Sequence, residues 1–379
     1  MTKTHKITVM PGDGIGPEVT AEAIKVIEAT GLSFEYLECS VGGEEYLRSG
    51  TALPDEAIET VNDSEVVLFG AVGHESVPDY ITREVLILLR MEKDTYANVR
   101  PLKKYHIGKT ENEYASKDID IVIVRDNAEG FSLTHEGRLE NSIGTDQRII
   151  TNFGAKRIIR HAFKYAEENH RKKVTCVDQH NWLYSDKLFR KNFLEVSRNI
   201  SSIESKGLPV DVVAMMISRS PEDFDVIVTP NLYGDILTGI VLSKIGGVGM
   251  APTACIGNNF AYFEPVHGTA WDIAGKRTAN PIASILSAGL MLRWLGEEKE
   301  AWYVKTAVKE LLAEGKVLTP DLGGCSSTSD LGNAVARRVL EMETERRELE
   351  DQLIDLNEGT IYAQRESIHT YKRFDVIRS

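Results

Sequence analysis

The sequence predicts an α/β fold in two domains. Three observations carry this. Short apolar runs such as Glu65–Phe69, Asp120–Arg125, Val174–Asp178 and Phe224–Thr229 have strand length and alternate with longer helical stretches. The Ile119–Val124 run is almost wholly apolar, as a strand covered on both faces is. At 379 residues, the chain is long enough for two domains and a large buried core.

Lys6 to Met10 reads as a first strand. It enters Pro11-Gly12-Asp13-Gly14-Ile15-Gly16-Pro17-Glu18-Val19, a glycine-rich turn feeding a helix over Val19 to Ala29. The turn approaches a GxGxxG fingerprint, but its third glycine is misplaced and no acidic residue follows a second strand at the required distance. Strand Glu65–Phe69 ends in Gly70-Ala71-Val72-Gly73. Leu86, Leu89 and Arg90 recur at helical spacing, which puts Arg90 at the end of an amphipathic helix. Pro101 bars any helix and pushes Arg100 towards extended geometry. Beyond strand Asp120–Arg125, the polar and irregular stretch Asp126 to Gln147 reads as a protruding arm. Helices are expected over Ile149–His170, Asp186–Asn199 and Val210–Met216, and from Asn231 onward. The glycine-bearing stretch Leu242–Gly249 leads back to the first domain. Helices over Pro281–Leu295 and Trp302–Ala313 and another from Leu331 complete the body. In the charged tail, Leu349, Leu353 and Leu356 repeat at three- to four-residue spacing. That pattern suits a helical partner contact or a solvated helix on its own subunit.

Composition excludes several function classes. A net charge of −13 argues against nucleic acid or anionic membranes as partners. Cys39, Cys176, Cys255 and Cys325 are far apart with no CxxC spacing, so they read as free thiols in a reducing compartment. The first strand begins too early to leave room for a signal peptide, and Pro281–Leu295 is too short to span a membrane, so a cytoplasmic protein is expected.

An acidic chain that binds an acidic ligand needs local cations. Arg90, Arg100 and Arg125 lie at the ends of three adjacent elements, and Arg125 closes its strand where α/β sheets place ligands. Three guanidinium forks aimed at one cleft suit a small molecule with two carboxylates. The alternative is three separate surface ion pairs.

Several stretches, in order, resemble the β-decarboxylating dehydrogenases that act on isopropylmalate, isocitrate, homoisocitrate and tartrate. They are Gly12 to Val19, Tyr96-Ala97-Asn98-Val99-Arg100-Pro101, Asn231-Leu232-Tyr233-Gly234-Asp235-Ile236-Leu237, Glu264-Pro265-Val266-His267-Gly268-Thr269-Ala270, Asp272-Ile273-Ala274-Gly275-Lys276 and Asp321-Leu322-Gly323-Gly324. The resemblance implies a two-domain isopropylmalate/isocitrate dehydrogenase-like fold with an NAD site that is not of the Rossmann type. It implies a nucleotide-binding domain of 1–102 plus 255–345, a substrate, metal and dimer-interface domain of 103–254, and an arm, 126–147, that clasps a partner. Residues 346–379 would form a C-terminal helical extension, and the assembly would be a homodimer or higher homo-oligomer.

By the same resemblance, Arg90, Arg100 and Arg125 hold the carboxylates of a 3-substituted malate, with Leu86 and Ile87 facing its substituent. Asp235, joined by Asp211 of a second subunit, would hold Mg²⁺ or Mn²⁺. Asp211 would also lie against the substrate. The NAD site would take Ala71, Val72, Glu264, His267, Gly268, Thr269, Ala270, Asp272, Ile273, Asn280 and Asp321. Asp272 stands where NADP-using relatives carry basic or tyrosyl residues. A carboxylate there accepts ribose hydroxyls and repels a 2′-phosphate, so NAD is expected over NADP.

Three positions depart from the family pattern, and all are chemical. Ser132 replaces the tyrosine that protonates the enolate, Gln179 replaces the lysine that relays the C2 proton, and Gly239 replaces an aspartate four residues after Asp235. His180, beside Gln179, is the candidate replacement base, and His135 a candidate proton donor. Three activities are compatible with this pattern: a dehydrogenase with rearranged proton transfer, a dehydrogenase that oxidises without decarboxylating, and a binding or regulatory subunit without turnover.

Overall fold

A computed structural model describes residues 3–108, 118–131 and 137–348. A single ten-stranded sheet organises them, in the order β2-β1-β3-β12-β11-β4-β5-β10-β8-β9. In chain order the strands are β1 Thr4–Gly12, β2 Ser33–Glu38, β3 Val66–Ala71, β4 Ala97–Lys103, β5 Asp120–Asp126, β6 Arg138–Glu140, β7 Ile143–Thr145, β8 Lys173–Asp178, β9 Glu204–Pro209, β10 Val226–Thr229, β11 Pro252–Ile256 and β12 Ala261–Pro265. The helices are α1 Gly16–Glu28, α2 Gly43–Ser49, α3 Asp55–Asn62, α4 Asp79–Ile87, α5 Asn152–Glu168, α6 Tyr184–Ser197, α7 Val210–Arg219, α8 Asn231–Ile245, α9 Ile282–Trp294, α10 Glu298–Glu314 and α11 over 328–348.

The sheet reverses direction at its centre. β1, β2, β3 and β12 run parallel, β11 and β4 pair antiparallel to their neighbours, and β5, β10, β8 and β9 run parallel again in the opposite sense. Alternation along each strand then sorts side chains between two faces. Val99, Val122, Val124 and Phe263 enter one core with α1, α5 and α9. On the other face Ile121, Ile123 and Leu102 pack with α7 and α8, while Val67, Phe69 and Tyr262 pack with α3 and α4. Between these last two clusters the face carries polar residues.

Most expected elements are present. The strands without clear sequence signals are β2 and β9, at the edges of the sheet, and the short hairpin β11–β12, whose outer partners β4 and β3 lie far away in the chain. Within the stretch expected to form the arm, β6 and β7 form an exposed antiparallel pair, and residues 132–136, with Ser132 and His135, lie outside the described residues. Most of the C-terminal extension, 349–379, lies outside them too. No helix among the described residues is long and apolar enough to cross a membrane.

One expectation is corrected. The α-helix before Arg90 ends at Ile87, and Arg90 lies in a one-turn π segment, Leu88–Glu92. Leu88 and Leu89 are both fully buried, and the wider turn accommodates them.

The glycine-rich turn after β1 is a brace. The Asp13 carboxylate accepts the backbone amides of Gly43 and Gly73 at 2.7 Å and of Glu44 at 2.8 Å, capping α2 from a distance. Gly14, at φ +63°, sits so close to Thr269 that a Cβ would lie 2.1 Å from its carbonyl oxygen. The turn therefore props the 267–272 loop.

Candidate active site

Asn98 and Arg100 of β4, Arg125 of β5, Cys255 of β11, and Tyr262 and Glu264 of β12 all project from the same sheet face. Register explains it. Asn98 pairs with both Arg125 and Cys255, and Arg100 pairs with Ile123. The site therefore spreads over the middle of the sheet, where the strands reverse. The strand-end position inferred for Arg125 is only one margin of it.

Two of the three arginines converge on one carboxylate. Arg100 Nη1 donates to Asp235 Oδ1 at 2.8 Å and to Thr238 Oγ1 at 3.1 Å. Arg125 Nη1 donates to Asp235 Oδ2 at 2.5 Å, and its Nη2 to Asn127 Oδ1 at 2.8 Å. Both guanidinium groups are buried, and the Nε atoms of both lack a partner. Burial lowers the Arg125 pKa, Arg100 adds to this, Asp235 opposes it, and Arg90 lowers it further. Burial alone would raise the Asp235 carboxyl, but Arg125 and Arg100 outweigh it and hold it below its ordinary value. The third arginine is seated separately. Arg90 Nε donates to Tyr262 Oη at 3.0 Å, and its guanidinium lies 3.8 Å from Glu264. Tyr262 lies across from Cys255, Cys255 across from Asn98 and Asn98 across from Arg125, so Arg90 is seated on the same sheet face. Three unrelated surface ion pairs are thereby set aside.

The ends of β10 and β8 carry a second polar cluster, which no hydrogen bond or ion pair among the described residues joins to Asp235. Tyr233, two residues before Asp235 on α8, donates to Asp186 Oδ2 at 2.9 Å, and that oxygen also accepts the backbone N–H of Gln179 at 2.7 Å. His180 Nδ1 lies 2.9 Å from Asp178 Oδ1. Arg190 donates to both oxygens of the buried Asp178, at 2.7 and 3.0 Å. The imidazole is thus oriented by a carboxylate, which leaves its Nε2 for a ligand.

Asp211 stands exposed in the first turn of α7, and no hydrogen bond or ion pair among the described residues joins it to Asp235. Leu86 and Val72 each pack against the α3/α4 cluster, and Ile87, next to Leu86, is half-buried. At Gly239 a Cβ would meet nothing within 4 Å.

The residues expected to hold NAD gather in one place, apart from Glu264, which faces Arg90. Asn280 Nδ2 donates to Asp321 Oδ2 at 3.0 Å, and Thr319 holds the other Asp321 oxygen at 2.5 Å. Ala270 is held at φ +42°, costly for a residue with a Cβ. Thr269 meets the brace of Gly14, and Ile273 packs with Ile15 and Val19. Asp272 is exposed, and Ala71 and Val72 close the side next to β3. His267 is 7% exposed, with Nδ1 3.0 Å from the Gly268 carbonyl and Nε2 without a partner. Burial lowers its pKa, so the ring is neutral. A Cβ at Gly268 would meet open space. A buried unpartnered nitrogen beside open space fits a bound nucleotide.

Tyr262, Asn127, Thr238 and the Asp178–Arg190 pair were not among the residues expected from the sequence. Tyr262 and Thr238 act on arginines distant in the chain, and only the alternating faces of known strands could have pointed to Tyr262.

Residues 6–335 match the family model described as isocitrate/isopropylmalate dehydrogenase. The 3-isopropylmalate/3-methylmalate dehydrogenase of Methanocaldococcus jannaschii is 46% identical over 89% of this chain and 99% of its own length. The NAD isocitrate dehydrogenase subunit alpha of Bos taurus mitochondria is 38% identical over 89% and 91%. The crystal structure of isocitrate dehydrogenase from Methylococcus capsulatus superimposes with a TM-score of 0.83 at 37% identity, covering 89% of this chain and 99% of that one. With the arginine cluster gathered on one sheet face, these likenesses establish that the chain belongs to the isocitrate/isopropylmalate dehydrogenase family of decarboxylating hydroxy-acid dehydrogenases.

Proposed function

We propose that the chain is an NAD-dependent dehydrogenase of a 3-substituted malate or related 2-hydroxy diacid, with decarboxylation following oxidation. The observation that carries this is the convergence of Arg100 and Arg125 on Asp235, with Arg90 seated on the same sheet face. A dicarboxylate can replace Asp235 as acceptor for both buried guanidinium groups, including their unpartnered Nε atoms. NAD, held by His267, Gly268, Asp272, Asn280 and Asp321, supplies the hydride acceptor. We assign the C2 hydroxyl proton to His180, whose ring Asp178 orients, because the Gln179 side-chain amide cannot take it.

In a single chain the donor set falls short of a divalent ion: Asp235 already shares both oxygens with guanidinium groups. Holding Mg²⁺ or Mn²⁺, which would polarise the substrate oxygen, requires Asp211 of a second copy. Such a dimer would cover the apolar side chains that α7 and α8 leave exposed, Met215 at 53% and Ile236 at 50%. Metal binding and the homodimer are therefore one proposal. The domain boundary near residue 103 falls where the sheet reverses, and this favours a cleft between two domains.

The test is turnover of a malate panel with NAD and Mg²⁺ or Mn²⁺, followed by NADH absorbance. Failure with every substrate, despite NAD binding, would establish a second reading favoured by Ser132, Gln179 and Gly239: a ligand-binding subunit without chemistry. Activity would then appear only on mixing with a relative that carries tyrosine, lysine and aspartate at those positions.

A further inference from the structure

On the opposite face of the sheet a cavity of about 530 Å³ lies between the ends of β4 and β5, the C-terminal end of α5, and helices α9 and α10. Lys103 and Asp120 of its wall are paired across β4 and β5, and they point away from the arginine site because Arg100 and Arg125 have the other parity. Asp120 is separated from Arg125 by about 17 Å along β5. The cavity is thus distinct from the dehydrogenase site, and a ligand in it would be independent of the proposed dehydrogenase activity.

Its wall is strongly cationic for so acidic a protein. Lys103, Arg171, Arg293 and Lys305 face Asp120 and Glu298. Asp120 is already shared by Lys103 at 3.1 Å and Arg171 at 2.5 Å, and Glu298 accepts Arg293 Nε at 3.2 Å. The Lys305 ammonium has no hydrogen-bond or ion-pair partner among the described residues. Its pKa is lowered, first by burial and then by Lys103, with Arg171 and Arg293 adding to this against Asp120. The other three cations are already engaged by Asp120, Asp225 and Glu298, so among the described residues the exposed Lys305 ammonium is the one at this wall left to meet an entering anion. Tyr105, Tyr165 and the exposed indole of Trp302 supply flat apolar surface beside it.

The geometry points to a second ligand site here, taking a small organic polyanion whose phosphate or carboxylate groups meet Lys305 and Lys103 and whose flat part lies against Tyr165 and Trp302. The volume is that of an ordinary small-molecule site. Bridging α10 and the end of α5, such a ligand would restrain elements on both sides of the sheet's reversal.

Isothermal titration of the full chain with pyrophosphate, AMP and citrate, and the quenching of Trp302 fluorescence, test this. At least one probe is expected to bind with a Kd below about 5 mM. The substitution Lys305→Gln should weaken that probe about tenfold, and Trp302→Phe should remove the quenching. Asp272→Ala, in the nucleotide loop, should leave the affinity unchanged. Lys305 is exposed and unpaired, so its variant folds normally, which thermal unfolding verifies. Preference for pyrophosphate or AMP identifies phosphate as the recognised group, and preference for citrate identifies carboxylate. Absence of binding by all three probes, or binding indifferent to Lys305→Gln, overturns the proposal.

Discussion

Replacing Asp235 by asparagine removes the charge that two buried guanidinium groups share. Asp235 accepts one hydrogen bond from Arg100 at 2.8 Å and one from Arg125 at 2.5 Å. Asparagine keeps one acceptor and turns an NH₂ donor towards the other arginine. Hydrogen bonds to charged groups contribute about 1.5–3 kcal/mol each, and breaking a buried ion pair by removing one partner costs about 3–5 kcal/mol. The Asp235 side chain is 48% exposed, so water relieves part of this, and a loss of about 2 kcal/mol is expected. Urea unfolding at neutral pH measures it, and a double-mutant cycle with Arg125→Gln should return a coupling of about 1 kcal/mol or more. The pH dependence has a definite sign. The folded-state pKa of Asp235 is depressed below 3.8, so its contribution is fully present above that value and disappears as pH falls through the lower folded pKa. A change below about 0.5 kcal/mol, or one that does not shrink in acid, would refute the account of a shared carboxylate.

Three other outcomes are expected. Gly239→Asp should fold at least as well as the parent, since its side chain meets open space and glycine is a poor helix residue; calorimetry should show Mn²⁺ binding tightened about tenfold, and unchanged affinity would remove position 239 from the metal site. Gln179→Lys should raise turnover about a hundredfold with a new basic limb in the pH–rate profile; no gain would show that His180 already carries the proton. Burial, with a smaller push from Lys164, lowers His161 to about 4, so its contribution is present above pH 6.5 and lost as the pH falls from there towards 4. It amounts to about 2 kcal/mol once the partial exposure of the ring is allowed for, and His161→Gln should flatten the thermal-stability profile over that range.

The sequence by itself determined the local elements and the chemical inventory. Period-2 and period-3.6 patterns are properties of adjacent residues, so strands such as β5 and β8 and helices such as α5 and α10 are legible one segment at a time. The arginines, the Glu264–Ala270 and Asp272–Lys276 motifs and the departures at Ser132, Gln179 and Gly239 are legible for the same reason. Tertiary structure alone decided what those residues touch. The central reversal of the sheet includes the pairing of β11 with β4, where Cys255 meets Asn98 from the far end of the chain, and it moves the site from a strand end to the middle of a face. It also decided that Asp13 is a brace, that Tyr262 seats Arg90, and that Asp235 rests between two arginines. Such pairings depend on which face each strand presents to which neighbour, and a linear pattern holds only the alternation, never the partner.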